Sequence, residues 1–184
     1  ISFLKTTNSY SLIEIDITRG NLNPLPIAVS PLFQDKKSIK ESQKELKLDD
    51  VGSEISKVIE NNLKQSGLFN PLSKDSFIQK PDIAHLKPRF EDWSLIKAQA
   101  LITGKVLIEK EKLKVEFRLW DVLAGREMLA LAFTTVPSNW RRVGHIITDK
   151  VYERLTGEKG YFDTRIIYVS EKGPKTQRIK KLAI

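Results

Sequence analysis

Cysteine is absent from these 184 residues, which removes disulfides, thiolate zinc sites and cysteine nucleophiles together and leaves both oxidising and reducing compartments open. Histidine is nearly absent: His85 and His145 stand 60 positions apart, so no HxH or HxxxH spacing exists to hold a metal. There is no Gly-x-Ser-x-Gly elbow, and the GEKG stretch at 157–160 lacks the spacing of a phosphate loop or a dinucleotide loop. The acidic pairs Asp49-Asp50 and Glu91-Asp92 fall where helix caps and first turns are expected. No catalytic, cofactor-binding or metal-ligating residue is therefore expected, and the chain reads as non-enzymatic. No apolar run approaches the ~20 residues of a membrane-spanning helix, so no membrane insertion is expected.

What is present is ordinary in bulk, with 40% hydrophobic and 29% charged residues, the balance of a globular domain with room for one core and a small appendage. Basic residues outnumber acidic ones by 31 to 23, a net charge of +8 that favours an anionic surface or partner. A basic nucleic-acid-binding α/β module is accordingly the alternative reading. Such a module stacks bases on aromatics interleaved with basic residues on an exposed sheet face. Here Phe117 falls on the apolar side of its strand and Trp120 is the sole aromatic on the polar side. The Arg141-Arg142 pair is a candidate phosphate or carboxylate contact.

Along the chain, 1–11 ends in Ser9-Tyr10-Ser11, a small-x-small pattern like a signal-peptidase site, and reads as a signal remnant or a disordered terminus. Residues 12–18 alternate, with Ile13, Ile15 and Ile17 on one side and Leu12, Glu14, Asp16 and Thr18 on the other, as in a half-buried strand. Residues 25–31 read as a short strand framed by prolines, with its ends at a sheet margin. The five lysines and few apolar residues of 34–47 predict a solvated loop or insert. The stripe Leu48, Val51, Ile55, Val58, Ile59 and Leu63 predicts a helix over 48–67, capped by Asp49 or Asp50 and ended by Gly67. A short extended segment follows at 68–72, then a polar connection over 73–88. One or two helical turns over 89–97 carry Phe90, Trp93 and Ile96.

The clearest β signals are 100–108, 113–122 and 128–135, joined by connections too short for a crossover and so antiparallel. One polar side per strand implies a sheet covered on one face. A second long helix, over 140–155, carries Trp140, Val143, Gly144, Ile147, Val151 and Leu155 on its apolar side, with Ser138 or Asn139 as cap and Gly157 as stop. Past Gly157 the period changes to 2, giving strands at 161–170 and 179–184. The derived fold class is α+β, with two amphipathic helices on one face of a mixed, largely antiparallel sheet.

The stretch PSNWRRVGHIITDKVYERLTGEKGYFDTRIIYVS over 137–170 closely resembles the helix-to-propeller junction of the TolB family, the periplasmic component of the Tol–Pal envelope system. IDITRG at 15–20, PIAV at 26–29, NLKQSGLF at 62–69 and FRLWD at 117–121 resemble the same family, so the likeness covers nearly the whole chain. It implies an N-terminal α/β domain over 12–160 followed, over 161–184, by the first strands of a truncated β-propeller. It also implies a periplasmic interaction protein serving envelope integrity, cell division and transport across the envelope, with TolA-like and Pal-like partners. Pal contact would lie mainly on the propeller. The mature N-terminal segment of the family binds TolA or folds back on the protein, which maps that role to Leu12, Ile13, Glu14, Ile15, Asp16, Ile17, Thr18, Arg19 and Gly20. An extended alternating peptide suits β-augmentation.

Overall fold

The computed structural model of the chain describes residues 13, 15, 23–164, 167–174 and 178–183. Six strands build the main sheet: β1 (Leu25–Val29), β2 (Phe33–Gln34), β3 (Phe69–Pro71), β4 (Ala100–Glu109), β5 (Lys112–Asp121) and β6 (Arg126–Thr135). The spatial order is β3-β1-β4-β5-β6, with β2 also on β4. β1 runs parallel to β3 and β4, and β2 parallel to β4, while β4, β5 and β6 form an antiparallel meander. The sheet is thus mixed, and its longest ladders are antiparallel.

On one face lie helix α2 (Val51–Gln65) and helix α5 (Trp140–Thr156), as the apolar stripes predict. Their Val51, Ile55, Ile59, Leu63, Val143, Ile147, Val151 and Leu155 pack against Ile27, Ile102, Val106, Ile108, Leu113, Val115, Phe117 and Leu119 of the sheet in one buried core. The six-residue stripe of the α2 region, at roughly 1.5–3 kcal/mol per large side chain, contributes about 10 kcal/mol before chain entropy is charged against it. The two helices approach closely at Gly144, where a Cβ would lie 2.9 Å from a Val58 methyl.

Three expectations are corrected. First, β1 lies between β3 and β4 rather than at a sheet margin. Its prolines are tolerated because Pro24 and Pro31 flank the strand. Pro26 offers its carbonyl to Gln99 N at 3.0 Å, just before β4 begins, so the missing amide hydrogen costs no ladder bond.

Second, 34–47 is no loop: Lys36–Leu46 form helix α1, capped by Asp35, whose carboxylate accepts from Ser38 N at 2.7 Å. Its buried residues are Ser38 and Ser42, so no apolar period advertised it. Gln34, itself buried, donates from Nε2 to the hydroxyls of Ser38 and Ser42. Its Oε1 accepts from Val51 N at 3.0 Å and Gly52 N at 3.3 Å, the orphan amides that open α2. The Ser38 hydroxyl takes the amide of Ile108 at 2.6 Å, beyond the reach of β1 and β2 along β4.

Third, the sheet's other face is not bare. Segment 73–98, with the short helices α3 (Pro81–Ala84) and α4 (Phe90–Leu95), buries Ala84, Trp93 and Ala98 against Ala28, Leu101 and Val122. Gln79 knits this layer: its Oε1 accepts from Arg89 N and from the Trp93 indole, and its Nε2 donates to Lys87 O.

Replacing Gln34 by Leu strands the α2 amides and two buried hydroxyls. The expected loss is about 2–4 kcal/mol, seen as a lower urea midpoint, whereas Gln43→Leu on the exposed side of α1 should stay within about 0.5 kcal/mol.

Glu60 on α2 is mostly buried beside Lys74 Nζ at 3.0 Å, and its carboxyl is pushed above the usual range because burial outweighs that pairing. A raised acid favours the fold while protonated. That contribution is complete below about pH 4.5, the ordinary value, and is lost as pH climbs through the raised one. Glu60→Gln should therefore gain on the parent as pH rises, read as the difference in melting temperature across a pH series.

Candidate partner-docking segment and junction

Residue 15 and the turn that follows the helix both attach to helix α5. Its last four carbonyls have no partner within the helix, and two of them are satisfied from outside the ladder. Gly157, left-handed with φ 75°, gives its amide to Glu153 O at 2.9 Å. Ile15 gives its amide to Leu155 O at 2.7 Å. Ile15 is 9% exposed within the main core, and Ile13 packs partly buried against it. Of the nine residues expected to bind a partner, the structure describes these two, and both lie against the core. Leu12, Glu14, Asp16, Ile17, Thr18, Arg19 and Gly20 lie outside the described residues, as does the Ser9-Tyr10-Ser11 pattern.

At its N-terminus α5 lacks the expected side-chain cap. A 3₁₀ turn over Pro137–Asn139 leads into it, and Asn139 Nδ2 donates instead to the Thr135 hydroxyl at 3.0 Å. Neither arginine of the 141–142 pair waits for a phosphate: Arg141 stacks over the Trp140 ring at 4.7 Å, and Arg142 forks onto the Asp163 carboxylate, with bonds of 3.1, 3.2 and 3.1 Å. His145 Nδ1 accepts from Asn62 Nδ2 at 2.9 Å across the α2–α5 seam. His85 stacks on Phe33 at 4.6 Å, and its Nδ1 donates to Pro81 O at 3.0 Å. Trp120, the aromatic on the polar side, donates its indole N–H to Thr103 and meets Phe90 edge-on at 5.7 Å, so it offers no open stacking platform.

Beyond α5 the chain does not become a strand at once. The chain bends at 162–163, and among the described residues the second sheet comprises β7 (Tyr168–Lys172) and β8 (Ile179–Ala183). They pair antiparallel, with Val169 opposite Leu182 and Lys172 opposite Ile179. Ile167, Val169, Ile179 and Leu182 are 55–79% exposed. Much of the positive charge sits on this hairpin, since 165–184 carries six basic residues against Glu171 alone. Glu171 holds Arg178 at 2.5 Å and Lys180 at 3.0 Å.

Among the described residues no cluster of three or more His, Asp or Glu could hold a metal, and no helix is long and apolar enough to cross a membrane. The resolved carboxyl shifts belong to ion pairs such as Lys105–Glu116–Lys114, which pulls Glu116 down through the Lys114 hydrogen bond. The described residues present a docked terminal segment, a turn bound back onto α5 and an uncovered hairpin.

These features define an α+β domain of helices packed on a mixed sheet. Residues 13–128 match the TolB amino-terminal domain, and the chain belongs to that family. It is 78% identical over 176 residues to the Tol-Pal system protein TolB of Pelagibacter ubique strain HTCC1062, an alignment covering 96% of this chain and 40% of that protein. The fold is similar to the crystal structure of TolB from Acinetobacter baumannii, with a TM-score of 0.63 at 24% identity, over 80% of this chain and 32% of that one. The chain thus spans well under half the length of either relative.

Ile15→Ala should release the terminal segment from α5. Amide exchange at residue 15 should lose its protection while β4 and β5 amides keep theirs, with a stability loss of about 2–3 kcal/mol.

Proposed function

We propose that this domain is the interaction module of a periplasmic Tol–Pal component, a non-enzymatic protein acting in envelope integrity, cell division and transport across the envelope. The observation that carries the reading is the terminal segment. Its two described isoleucines seat on the core and the amide of Ile15 is held by Leu155 O. In the sequence, Glu14, Asp16 and Thr18 alternate with these isoleucines.

Segment 12–20 is then the TolA-like partner's strand, exchanging a backbone bond to α5 for a ladder with the partner. In β-augmentation the main chain supplies affinity and alternate side chains supply selectivity.

Residues 161–184 are the start of a β-propeller in this proposal, and Pal-like contact belongs mainly to that second unit. The support is threefold: β7 and β8 form their own sheet, their apolar side chains are uncovered, and a two-stranded sheet alone is marginal in water. The nucleic-acid alternative keeps its +8 charge but has no open aromatic platform at Trp120, which is packed, and Arg142 is paired with Asp163.

Deleting 12–20 should abolish binding to the C-terminal domain of a TolA-type protein in calorimetric titration. Undiminished binding would remove the assigned segment. A parallel titration with duplex DNA at two salt concentrations should show no binding that weakens steeply with salt.

A further inference from the structure

Between Thr156 and Thr164 the chain turns back along α5 and is bound to it at successive points. Gly160 lies directly on Asp149, where a Cβ would sit 2.4 Å from the Asp149 Cα and Oδ1. No larger residue fits there without moving the helix. The Asp149 carboxylate then accepts two consecutive amides, Phe162 N on Oδ1 at 2.7 Å and Asp163 N on Oδ2 at 3.1 Å. About two turns earlier in the helix, Arg142 holds the Asp163 side chain in a bidentate pair. Tyr152 meets Tyr161 at 5.6 Å and Phe162 at 5.8 Å, both edge-on, and Phe162 also packs against the main core. One carboxylate, one arginine and one aromatic side chain, all on α5, therefore fix the backbone of 160–163. A connection meant to swing would have none of these contacts.

We propose that Asp149, Arg142 and Gly160 form a rigid bracket that fixes the direction in which the chain leaves this domain, so that whatever follows is carried in one orientation instead of on a flexible linker. Asp149 is the positioning residue, because charge-assisted bonds to two backbone amides fix the chain path itself. Arg142 supports it from a solvent-exposed pair, which salt screens. The proposal is independent of which partners bind, since its readout is a distance.

The absence of cysteine allows the test to be made with two engineered labels. Nitroxides at Lys64→Cys on α2 and Ser170→Cys on β7 should give one narrow distance distribution by pulsed electron paramagnetic resonance. Asp149→Ala should broaden it at least twofold, Gly160→Ala should shift or broaden it, and Arg142→Ala should broaden it less. In the Asp149→Ala chain the amides of Phe162 and Asp163 should exchange at least tenfold faster, while those of β4 and β5 are unchanged, which separates loss of the bracket from loss of the fold. A broad distribution in the parent overturns the proposal, as does a distribution left narrow by Asp149→Ala when its two amides have been freed.

Discussion

The seating of helix α5 on the sheet is the constraint on which the rest depends. Val143, Ile147, Val151 and Leu155 are all buried on one side, and that packing fixes the helix's roll as well as its position. Once the roll is set, the remaining faces have defined neighbours. The last-turn carbonyl of Leu155 is presented to Ile15, Arg154 reaches the Met128 carbonyl at 3.3 Å, and Asp149 is presented to the exit turn. Met128 is available because the β5–β6 register slips between Leu119 and Trp120, leaving that residue without a partner, as bulged residues are. A helix seated by apolar side chains thus hands out polar contacts at both termini of the described fold.

The parts of this fold legible in the sequence were those with a strong period. Leu113, Val115, Phe117 and Leu119 alternate without exception and all are buried. The stripes of α2 and α5 repeat at 3.6, and Asp50 and Gly67 sit where cap and stop chemistry places them. Helix α1 was illegible because hydroxyls do the burying. Ser38 and Ser42 are four apart on one face, but a scan for apolar residues sees only Ile39 and Leu46. The cue available was the Gln34–Asp35 pair ahead of two serines, a buried amide and a cap, and it has meaning only once β4 is known to have no strand at Ile108 on the edge away from β5. The central place of β1 was hidden for a related reason: proline demotes a strand only where its missing hydrogen faces a partner.

Of the candidate site, Ile13 and Ile15 share a side in the sequence pattern and both meet the core, whereas the attachment of Ile15 to α5 depends on a tertiary contact that no local pattern encodes. The Arg141-Arg142 pair shows the opposite failure. Two adjacent arginines resemble an anion site in sequence, yet neighbours on a helix are about 100° apart, so they serve different ends, one over an indole and one on a carboxylate.

Charge and apolar exposure distinguish the two parts of the chain. In the main body the acids nearly match the bases, and its apolar side chains form two closed clusters on the two faces of one sheet. The hairpin carries the basic excess and leaves its aliphatic side chains open. A body whose core is drawn from residues between Ile13 and Phe162 needs nothing from the hairpin to be complete, and the hairpin, with one neighbour per strand, cannot bury its own. Val169 and Leu182 stay open to solvent among the described residues. In the proposed bracket, the contacts that α5 makes with the turn at 160–163 set the direction in which the chain leaves toward that hairpin.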